Sequence, residues 1–327
     1  MTWLALIPGL PIVLLAILWL VGERGHLALP STRAALRQSR DASGSGRPRG
    51  GLGRVLHGYV YGRWTEQYIR LARRVLPRMS PATKRAWADH YHGKVLPTEL
   101  ACAIIKLDHD IKRTDLERII PYPTARDILL SGPPGVTLLD CPCRAGRPNP
   151  CRPIQVCMLV GGGDFVLDHR PGRARRVTQE EALEVLAQEH ERGHVHTAYF
   201  KDACDNRFYA ICNCCKCCCG GLEAMVKHGI PMVASSGYVA EVDEGACIGC
   251  GDCAEACPFG AMTVPYRAEV SWEKCMGCGV CEGQCATGAV TLVLDERKGL
   301  PLDVRRIGTA SPAERGAPSW NGARVSG

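Results

Sequence analysis

Cys247-Ile-Gly-Cys250-Gly-Asp-Cys253-Ala-Glu-Ala-Cys257-Pro258 is followed along the chain by Cys275-Met-Gly-Cys278-Gly-Val-Cys281-Glu-Gly-Gln-Cys285. Both segments have the spacing C-x2-C-x2-C-x3-C, and their offset is constant, since 275 − 247 = 28 and 285 − 257 = 28. Glycines match at the same offset, as in the pairs Gly249/Gly277, Gly251/Gly279 and Gly260/Gly288. The two segments are therefore an internal repeat, and we expect both copies to support the same chemistry.

The cysteine spacing suits the ligands of an iron–sulfur cluster. Three thiolates within a short stretch, separated by small residues, let one loop wrap a face of a cubane. The glycines permit positive φ angles and a close approach of backbone N–H groups to the cluster sulfurs. The fourth cysteine of each copy is too far along the chain for its own loop, so we expect it to bind the other cluster.

We therefore predict two [4Fe–4S] clusters in this region. One ligand set is Cys247, Cys250, Cys253 and Cys285, and the other is Cys275, Cys278, Cys281 and Cys257. Zinc is the alternative, but zinc sites take four ligands, usually in two separated pairs. Two tandem runs of four cysteines fit that pattern poorly.

The repeat resembles the two-cluster bacterial ferredoxin family over about residues 238–295. The resemblance implies a ferredoxin-like fold and a role in electron transfer. The chain departs from the family pattern at Ala286, because the proline that follows Cys257 in the first copy has no counterpart in the second. This departure removes no ligand.

The cysteine content indicates a reducing compartment. Twenty cysteines in 327 residues are consistent with disulfides or with metal binding. Adjacent cysteines, as in Cys217-Cys218-Cys219, cannot pair with each other without strain, and cluster ligands must be thiolates. In a bacterium these requirements point to the cytoplasmic side of the membrane.

The N-terminal residues 2–21 contain no charged side chain, and Trp3 and Trp19 lie near the two ends. About 20 apolar residues can cross a bilayer as a helix, with aromatic side chains at the interfaces. A cleaved signal peptide and a buried hairpin are the alternatives. A signal peptide fits poorly, because no Lys or Arg precedes the apolar run and no A-x-A cleavage site follows it. The pattern predicts a single transmembrane helix.

A basic segment follows this apolar run. Residues 22–100 contain 15 Lys/Arg and 5 Asp/Glu, a balance of 15 − 5 = +10. Because the basic residues begin directly after the apolar segment, they indicate a membrane surface rather than a nucleic acid as the partner. We expect a single-pass protein of the inner (cytoplasmic) membrane whose soluble part faces the cytoplasm.

The predicted fold class is α+β, with five segments along the chain. They are a transmembrane anchor (1–22), a basic flexible linker (23–56), a mainly helical Cys-rich domain (57–236), a ferredoxin-like 2[4Fe–4S] domain (237–297) and a disordered tail (298–327). Hydrophobic spacing predicts helices over 61–76, 97–110 and 124–131. A capping box at Thr178-Gln-Glu-Glu181 predicts another helix, which ends at Gly193.

Two stretches of the Cys-rich domain, 141–157 and 212–219, contain ten further cysteines, of which we predict eight as metal ligands. We predict at least one additional centre, most simply a third iron–sulfur cluster. The predicted ligands are Cys212, Cys214, Cys215 and Cys218, with a second set formed by Cys141, Cys143, Cys151 and Cys157. A structural zinc ion in the second set and a thiol-redox or persulfide site are the alternatives.

A wider resemblance covers about residues 95–295. It rests on C-x-C-R at 141–144, R-V-T-Q-E-E-A-L-E-V-L at 176–186 and I-C-N-C-C-K-C-C-C-G at 211–220. These segments are similar to a family of predicted iron–sulfur oxidoreductases and ferredoxin-type proteins of anaerobic and metabolically versatile bacteria. The similarity implies a Cys-rich domain ahead of a two-cluster ferredoxin domain, and it specifies no reaction.

Together these observations predict a membrane-anchored iron–sulfur protein that relays single electrons between redox donor and acceptor proteins. One alternative is an iron–sulfur oxidoreductase whose Cys-rich domain reduces a small substrate. Another is an iron–sulfur protein that senses redox conditions. The sequence does not decide whether the chain is an electron carrier or a subunit of an enzyme.

Overall fold

The computed structural model describes residues 9–41, 52–113, 116–124 and 127–307. A seven-stranded sheet with helices on both faces forms the larger part, and a smaller unit with its own short sheets follows it in the chain. The helices are α1 (Gly9–Leu27), α2 (Pro30–Asp41), α3 (Leu52–Arg63), α4 (Thr65–Val75), α5 (Pro81–His90), α6 (Thr98–Ile105), α7 (Pro142–Ala145), α8 (Asp164–His169), α9 (Gln179–Glu191), α10 (Gly220–His228), α11 (Asp252–Ala256), α12 (Val280–Gly283) and α13 (Val304–Ile307).

The strands form one large sheet and three two-stranded ones. They are β1 (Tyr91–Leu96), β2 (Ile111–Arg113), β3 (Ile128–Leu130), β4 (Val136–Asp140), β5 (Gln155–Val160), β6 (Ala174–Val177), β7 (Val195–Lys201), β8 (Arg207–Cys214), β9 (Val233–Ala234), β10 (Tyr238–Val242), β11 (Met262–Thr263), β12 (Glu269–Val270) and β13 (Val290–Leu294). The large sheet has the order β6-β4-β5-β8-β7-β1-β9. Its neighbouring strands are antiparallel except for the parallel pair β1–β9.

The two faces of the large sheet carry different side chains. Successive residues of a strand point to opposite faces, and residues paired across two strands share a face. The pairs Thr197–Cys212 and Val195–Cys214 therefore lie on one face of β7 and β8, whereas His196 and Asn213 lie on the other. Helices α6 and α9 pack on the His196 face. The opposite face, which carries Cys212 and Cys214, lines a cavity that α3 and α4 help to enclose.

The prediction of a mainly helical Cys-rich domain is wrong, because the large sheet is built from this part of the chain. Strand β7 shows why the strands were missed. All of its seven residues are buried, so it lacks the alternation of polar and apolar residues that marks a half-exposed strand. The segment 124–131 also contains strand β3 instead of the predicted helix.

Helix α9 forms where the capping box predicts it. The Thr178 hydroxyl accepts a hydrogen bond from the backbone N–H of Glu181 at 3.2 Å. Gly193, just beyond the C-terminal end of the helix, has a φ of +72°, a conformation that glycine adopts without strain.

The predicted transmembrane helix is also wrong. In the part of the chain that the structure describes, no helix is both long enough and apolar enough to cross a bilayer. Helix α1 continues beyond the apolar run, and its C-terminal half packs on α3 and on Trp64, the residue after α3. The Trp19 and Trp64 rings are 5.8 Å apart. Glu23 accepts a hydrogen bond from Tyr59 at 2.7 Å and pairs with Arg63 at 3.3 Å. The predicted inner-membrane localisation depended on this helix and is wrong with it.

The predicted flexible linker and the predicted disordered tail both contain helical residues. Within 23–56, the described residues belong mostly to α1, α2 and α3, and residues 42–51 lie outside the described ranges. Within 298–307, helix α13 packs on α6, and both Leu302 and Val304 are fully buried. The remainder of the predicted tail, 308–327, lies outside the described residues.

Candidate iron–sulfur and metal sites

The smaller unit, residues 237–297, repeats its local structure at the offset of the sequence repeat, and we call it the ferredoxin-like unit. Helices α11 and α12 begin at Asp252 and Val280, and 280 − 252 = 28. Strand β10 of the first copy pairs antiparallel with β13 of the second. Strands β11 and β12 form a second antiparallel pair across the two copies. The copies are therefore interlocked rather than placed side by side.

Two glycines show this interlocking at atomic distance. Gly249 has a φ of +71° and Gly277 a φ of +60°. A Cβ atom on Gly249 would lie 2.3 Å from the carbonyl oxygen of Tyr266, and one on Gly277 would lie 2.2 Å from that of Tyr238. Because 266 − 238 = 28, each glycine is packed against the equivalent residue of the other copy.

Backbone N–H groups point at the cysteine sulfurs in the same crosswise manner. The N–H of Ala240 lies 3.4 Å from the Cys275 sulfur, and the N–H of Ala268 lies 3.4 Å from the Cys247 sulfur. Both pairs obey the offset of 28, since 268 − 240 and 275 − 247 are equal. Donors of this kind stabilise negative charge on thiolates and on cluster sulfurs.

The predicted second ligand set is brought together. Its four cysteines are all buried and line one small cavity: Cys257, Cys275, Cys278 and Cys281. Burial raises the pKa of Cys281 to about 12, and the neighbouring Cys275 and Cys257 thiols add to the effect. Buried thiols this close together resist ionisation unless cations lie between them. This donor set therefore fits a cluster that supplies iron cations to four thiolates.

The predicted first set is more open to solvent. Burial, with Cys250 and Cys247 close by, raises the pKa of the Cys253 thiol, and Cys250 itself is exposed. The described contacts of Cys285 are with its own loop. Burial alone would raise the pKa of Cys285, but the Thr287 hydroxyl and the backbone N–H groups of residues 287, 289 and 290 outweigh burial and lower it.

The upstream cysteines form two separate groups. The first contains six thiols in a chain of neighbours, in the order Cys212, Cys157, Cys141, Cys143, Cys219 and Cys214. The Cys219 and Cys214 sulfurs are 3.2 Å apart. Although contact with Cys157 lowers it, the pKa of Cys212 is raised to about 12 by burial. We call this set the sheet-face group, since strands β5 and β8 supply three of its members.

The second upstream group combines three cysteines that follow strand β8 with one from the loop after α7. Its members are Cys151, Cys215, Cys217 and Cys218, and we call it the turn group. This division differs from the predicted one, which placed Cys151 with the 141–157 cysteines and Cys215 with Cys212. Cys217 was not among the predicted ligands. It lies in a turn, where strand alternation cannot tell which way a side chain points.

A buried guanidinium lies near both upstream groups. Arg144 is fully buried, and its side chain donates to Glu189 at 2.6 Å and to the Asn213 carbonyl oxygen at 3.1 Å. Burial alone would lower the pKa of Arg144, but the Glu189 carboxylate and the thiols Cys215 and Cys141 outweigh burial and raise it. The cysteine stretches are therefore arranged around one fixed positive charge.

The sheet-face group borders a cavity of about 880 Å³. Tyr61 and Tyr209 line it as well, and their hydroxyl groups are 2.6 Å apart. The cavity is within the size range of small-molecule sites in proteins. It offers thiol and phenol groups on a largely apolar wall.

Comparison with known proteins supports the iron–sulfur assignment of the C-terminal unit. Residues 239–262 match the model of a 4Fe-4S binding domain family. This match includes the first cysteine run and ends before the second. A search of curated proteins found no match. The matched domain and the clustered cysteines support an iron–sulfur protein, and the matched domain suggests a role in electron transfer.

Proposed function

We propose that residues 237–297 hold two [4Fe–4S] clusters and that the chain relays single electrons between a donor and an acceptor protein. In this proposal one cluster is bound by Cys247, Cys250, Cys253 and Cys285. The other is bound by Cys275, Cys278, Cys281 and Cys257. Each cluster, when bound, supplies a one-electron couple whose potential depends on its protein environment.

The observation that carries this proposal is the crosswise packing of the two copies. The first-copy strand β10 directs the Ala240 N–H at the second-copy Cys275, and Ala268 of the second copy does the same for Cys247. In such an arrangement the last cysteine of one copy naturally falls beside the first three of the other. Cys257 has this position relative to Cys275, Cys278 and Cys281. The repeat symmetry supports the same role for Cys285.

The chain's own residues would tune the two sites differently. Phe259, Met276 and Val280 line the cavity of the second set and exclude water from it. Around the first set, Cys250 and Ile248 are exposed. Because solvent exposure and N–H donors to sulfur both shift cluster potentials, we expect two unequal potentials. The first set, which reaches the surface at Cys250, is the expected point of contact for a redox partner protein.

Iron counts in paired alanine variants test the crosswise assignment. The double variant Cys257→Ala/Cys278→Ala removes two ligands from one proposed cluster and should keep about four iron atoms per chain. The double variant Cys257→Ala/Cys250→Ala damages both clusters and should keep almost no iron. If each run instead bound its own cluster, the two results would be exchanged. Cys102→Ala is the matched control, since Cys102 lies on α6 and outside all the cysteine groups.

The large cavity favours a second candidate function, an oxidoreductase that reduces a small molecule beside the sheet-face group. Ala210 is buried and lines this cavity, so Ala210→Phe would fill part of it. Dithionite-reduced protein would be mixed with small oxidants, and its reoxidation followed by absorbance. The oxidoreductase function predicts that the variant slows reoxidation and keeps the iron of the ferredoxin-like unit. Equal rates for both proteins would contradict it.

A further inference from the structure

The turn group places several thiols unusually close together. The sulfurs of Cys151, Cys215 and Cys217 all lie within 4.8 Å of one another. The Cys218 sulfur is 3.4 Å from that of Cys217. Three thiols from two segments of the chain thus converge on one point, and a fourth, that of Cys218, lies beside Cys217.

The local backbone explains the convergence. The residues after β8 fold into a turn in which the N–H of Cys219 donates to the carbonyl oxygen of Cys215 at 3.2 Å. The loop after α7 meets this turn, and the N–H of Cys151 lies 3.4 Å from the Cys218 sulfur. Arg147 fixes the two segments together by donating to the Cys218 carbonyl oxygen at 3.0 and 3.2 Å.

The distances distinguish this group from the ferredoxin cysteines. A cubane binds each thiolate at a different iron atom, so its four ligands stay well apart. A single tetrahedral zinc ion binds all four at about 2.3 Å, which places the sulfurs about 3.8 Å from one another. Within the described ranges, three members of the turn group, Cys151, Cys215 and Cys217, are the one set of three or more His, Cys, Asp or Glu side chains whose ligand atoms all lie within 4.8 Å of one another. No three of the eight ferredoxin cysteines share it.

We propose that Cys151, Cys215, Cys217 and Cys218 bind one Zn²⁺ ion in a closed tetrathiolate site. Four thiolates in tetrahedral arrangement leave no open position for a substrate, which is the pattern of a structural site. Thiolate charge is offset by the ion, by the Arg147 guanidinium and by the N–H of Cys151. The proposal does not depend on the electron-transfer function.

The position of the turn suggests what the ion stabilises. Lys216 lies between two of the proposed ligands, and its ammonium group donates to the carbonyl oxygen of Glu255 at 2.9 Å. Glu255 belongs to α11, between Cys253 and Cys257. The zinc site would therefore hold this turn of the sheet domain, the part of the chain that contains the seven-stranded sheet, against α11 of the ferredoxin-like unit. Loss of the ion should loosen this contact.

Metal analysis of the full chain, purified without oxygen, tests the proposal. The parent protein should contain about one zinc per chain in addition to its iron. Cys217→Ala and Cys151→Ala should lower the zinc content at least about tenfold and leave the iron unchanged. Cys102→Ala should alter neither metal. The unchanged iron in the ligand variants also shows that they have folded.

Cobalt(II) replacement provides a second measurement that does not depend on metal retention during purification. A tetrathiolate Co²⁺ site gives intense sulfur-to-metal charge-transfer absorption, which the parent should show and Cys217→Ala should lack. A parent protein without zinc, or a Cys217→Ala variant that loses iron instead, would overturn the proposal. Either result is compatible with two intact ferredoxin clusters. Failure of the zinc proposal is therefore distinguishable from failure of the proposed electron-transfer function.

Discussion

Substitution of Gly277 by alanine tests the interlocked packing of the two copies. The residue has a φ of +60°, and an added Cβ would lie 2.2 Å from the Tyr238 carbonyl oxygen and 2.4 Å from the Ser236 hydroxyl. The left-handed conformation alone costs an alanine about 1–2 kcal/mol. Overpacking against a fixed backbone adds about 1–3 kcal/mol. The expected loss of stability is therefore about 2–5 kcal/mol.

Gly260→Ala is the matched control for this substitution. Gly260 lies in the same unit with a φ of +62°, but nothing lies within 4 Å of the Cβ that alanine would add. Only the conformational cost of about 1–2 kcal/mol should appear there. The difference between the two variants isolates the contact of Gly277 with the first-copy strand β10.

Thermal loss of cluster absorbance under anaerobic conditions measures the difference. For a unit of about 60 residues, 1 kcal/mol shifts the unfolding midpoint by about 4–8 °C. Gly277→Ala should therefore lose its absorbance about 4–24 °C below Gly260→Ala. Equal midpoints for the two variants would refute the close approach of Tyr238 to the second cysteine run.

Three further predictions concern the sheet domain and its contact with the ferredoxin-like unit. Arg144→Met removes the buried 2.6 Å partner of Glu189, which keeps His194 at 2.7 Å and Arg192 at 3.0 Å, and should destabilise the chain by about 1.5–3 kcal/mol in chemical unfolding. Loss of the exposed pair in Arg175→Met should cost less than about 1 kcal/mol. Burial lowers the pKa of Lys94 to about 7 from 10.5, so the unfolded chain binds more protons than the folded chain between these pH values. The free energy of unfolding should therefore rise from pH 7 to pH 9. Lys94→Met should flatten this rise, and an unchanged slope would contradict the burial of a neutral lysine. Lys216→Met removes the 2.9 Å hydrogen bond to the Glu255 carbonyl oxygen and should speed limited proteolysis between the sheet domain and the ferredoxin-like unit. The control is Lys227→Met, which changes a lysine near the end of α10 and should leave the rate of proteolysis unchanged.

Local sequence patterns predicted the iron–sulfur character of the C-terminal unit, because that character depends on the short-range spacing of cysteines and glycines. The repeated spacing of cysteines and glycines determines where loops turn, and Gly249 and Gly277 have the positive φ angles that the pattern requires. The helix after Thr178 is another case, since one side-chain cap and one terminal glycine define both of its ends. These features need no knowledge of distant contacts.

The large sheet and the cysteine groups depend on distant contacts and were missed or divided differently. Strand β7 is buried on both faces, so its sequence carries no alternating pattern. The meeting of Cys157 with Cys212 results from the pairing of β5 with β8, which no local spacing reveals. The apolar run predicted a membrane span because a run of apolar residues does not reveal the contacts that α1 makes in the folded domain. One of these contacts is the ion pair between Arg63 and Glu23, which follows the run.

The measurement that tests the central claim most directly is the iron and acid-labile sulfide content of anaerobically purified protein, combined with EPR of the reduced form. Two cubanes predict about eight iron and eight sulfide per chain and a spectrum broadened by interaction between two reduced clusters. Extra iron and sulfide beyond this would indicate a cluster on the sheet-face group. A chain with about four iron or fewer, or with a single isolated EPR signal, would contradict the two-cluster account.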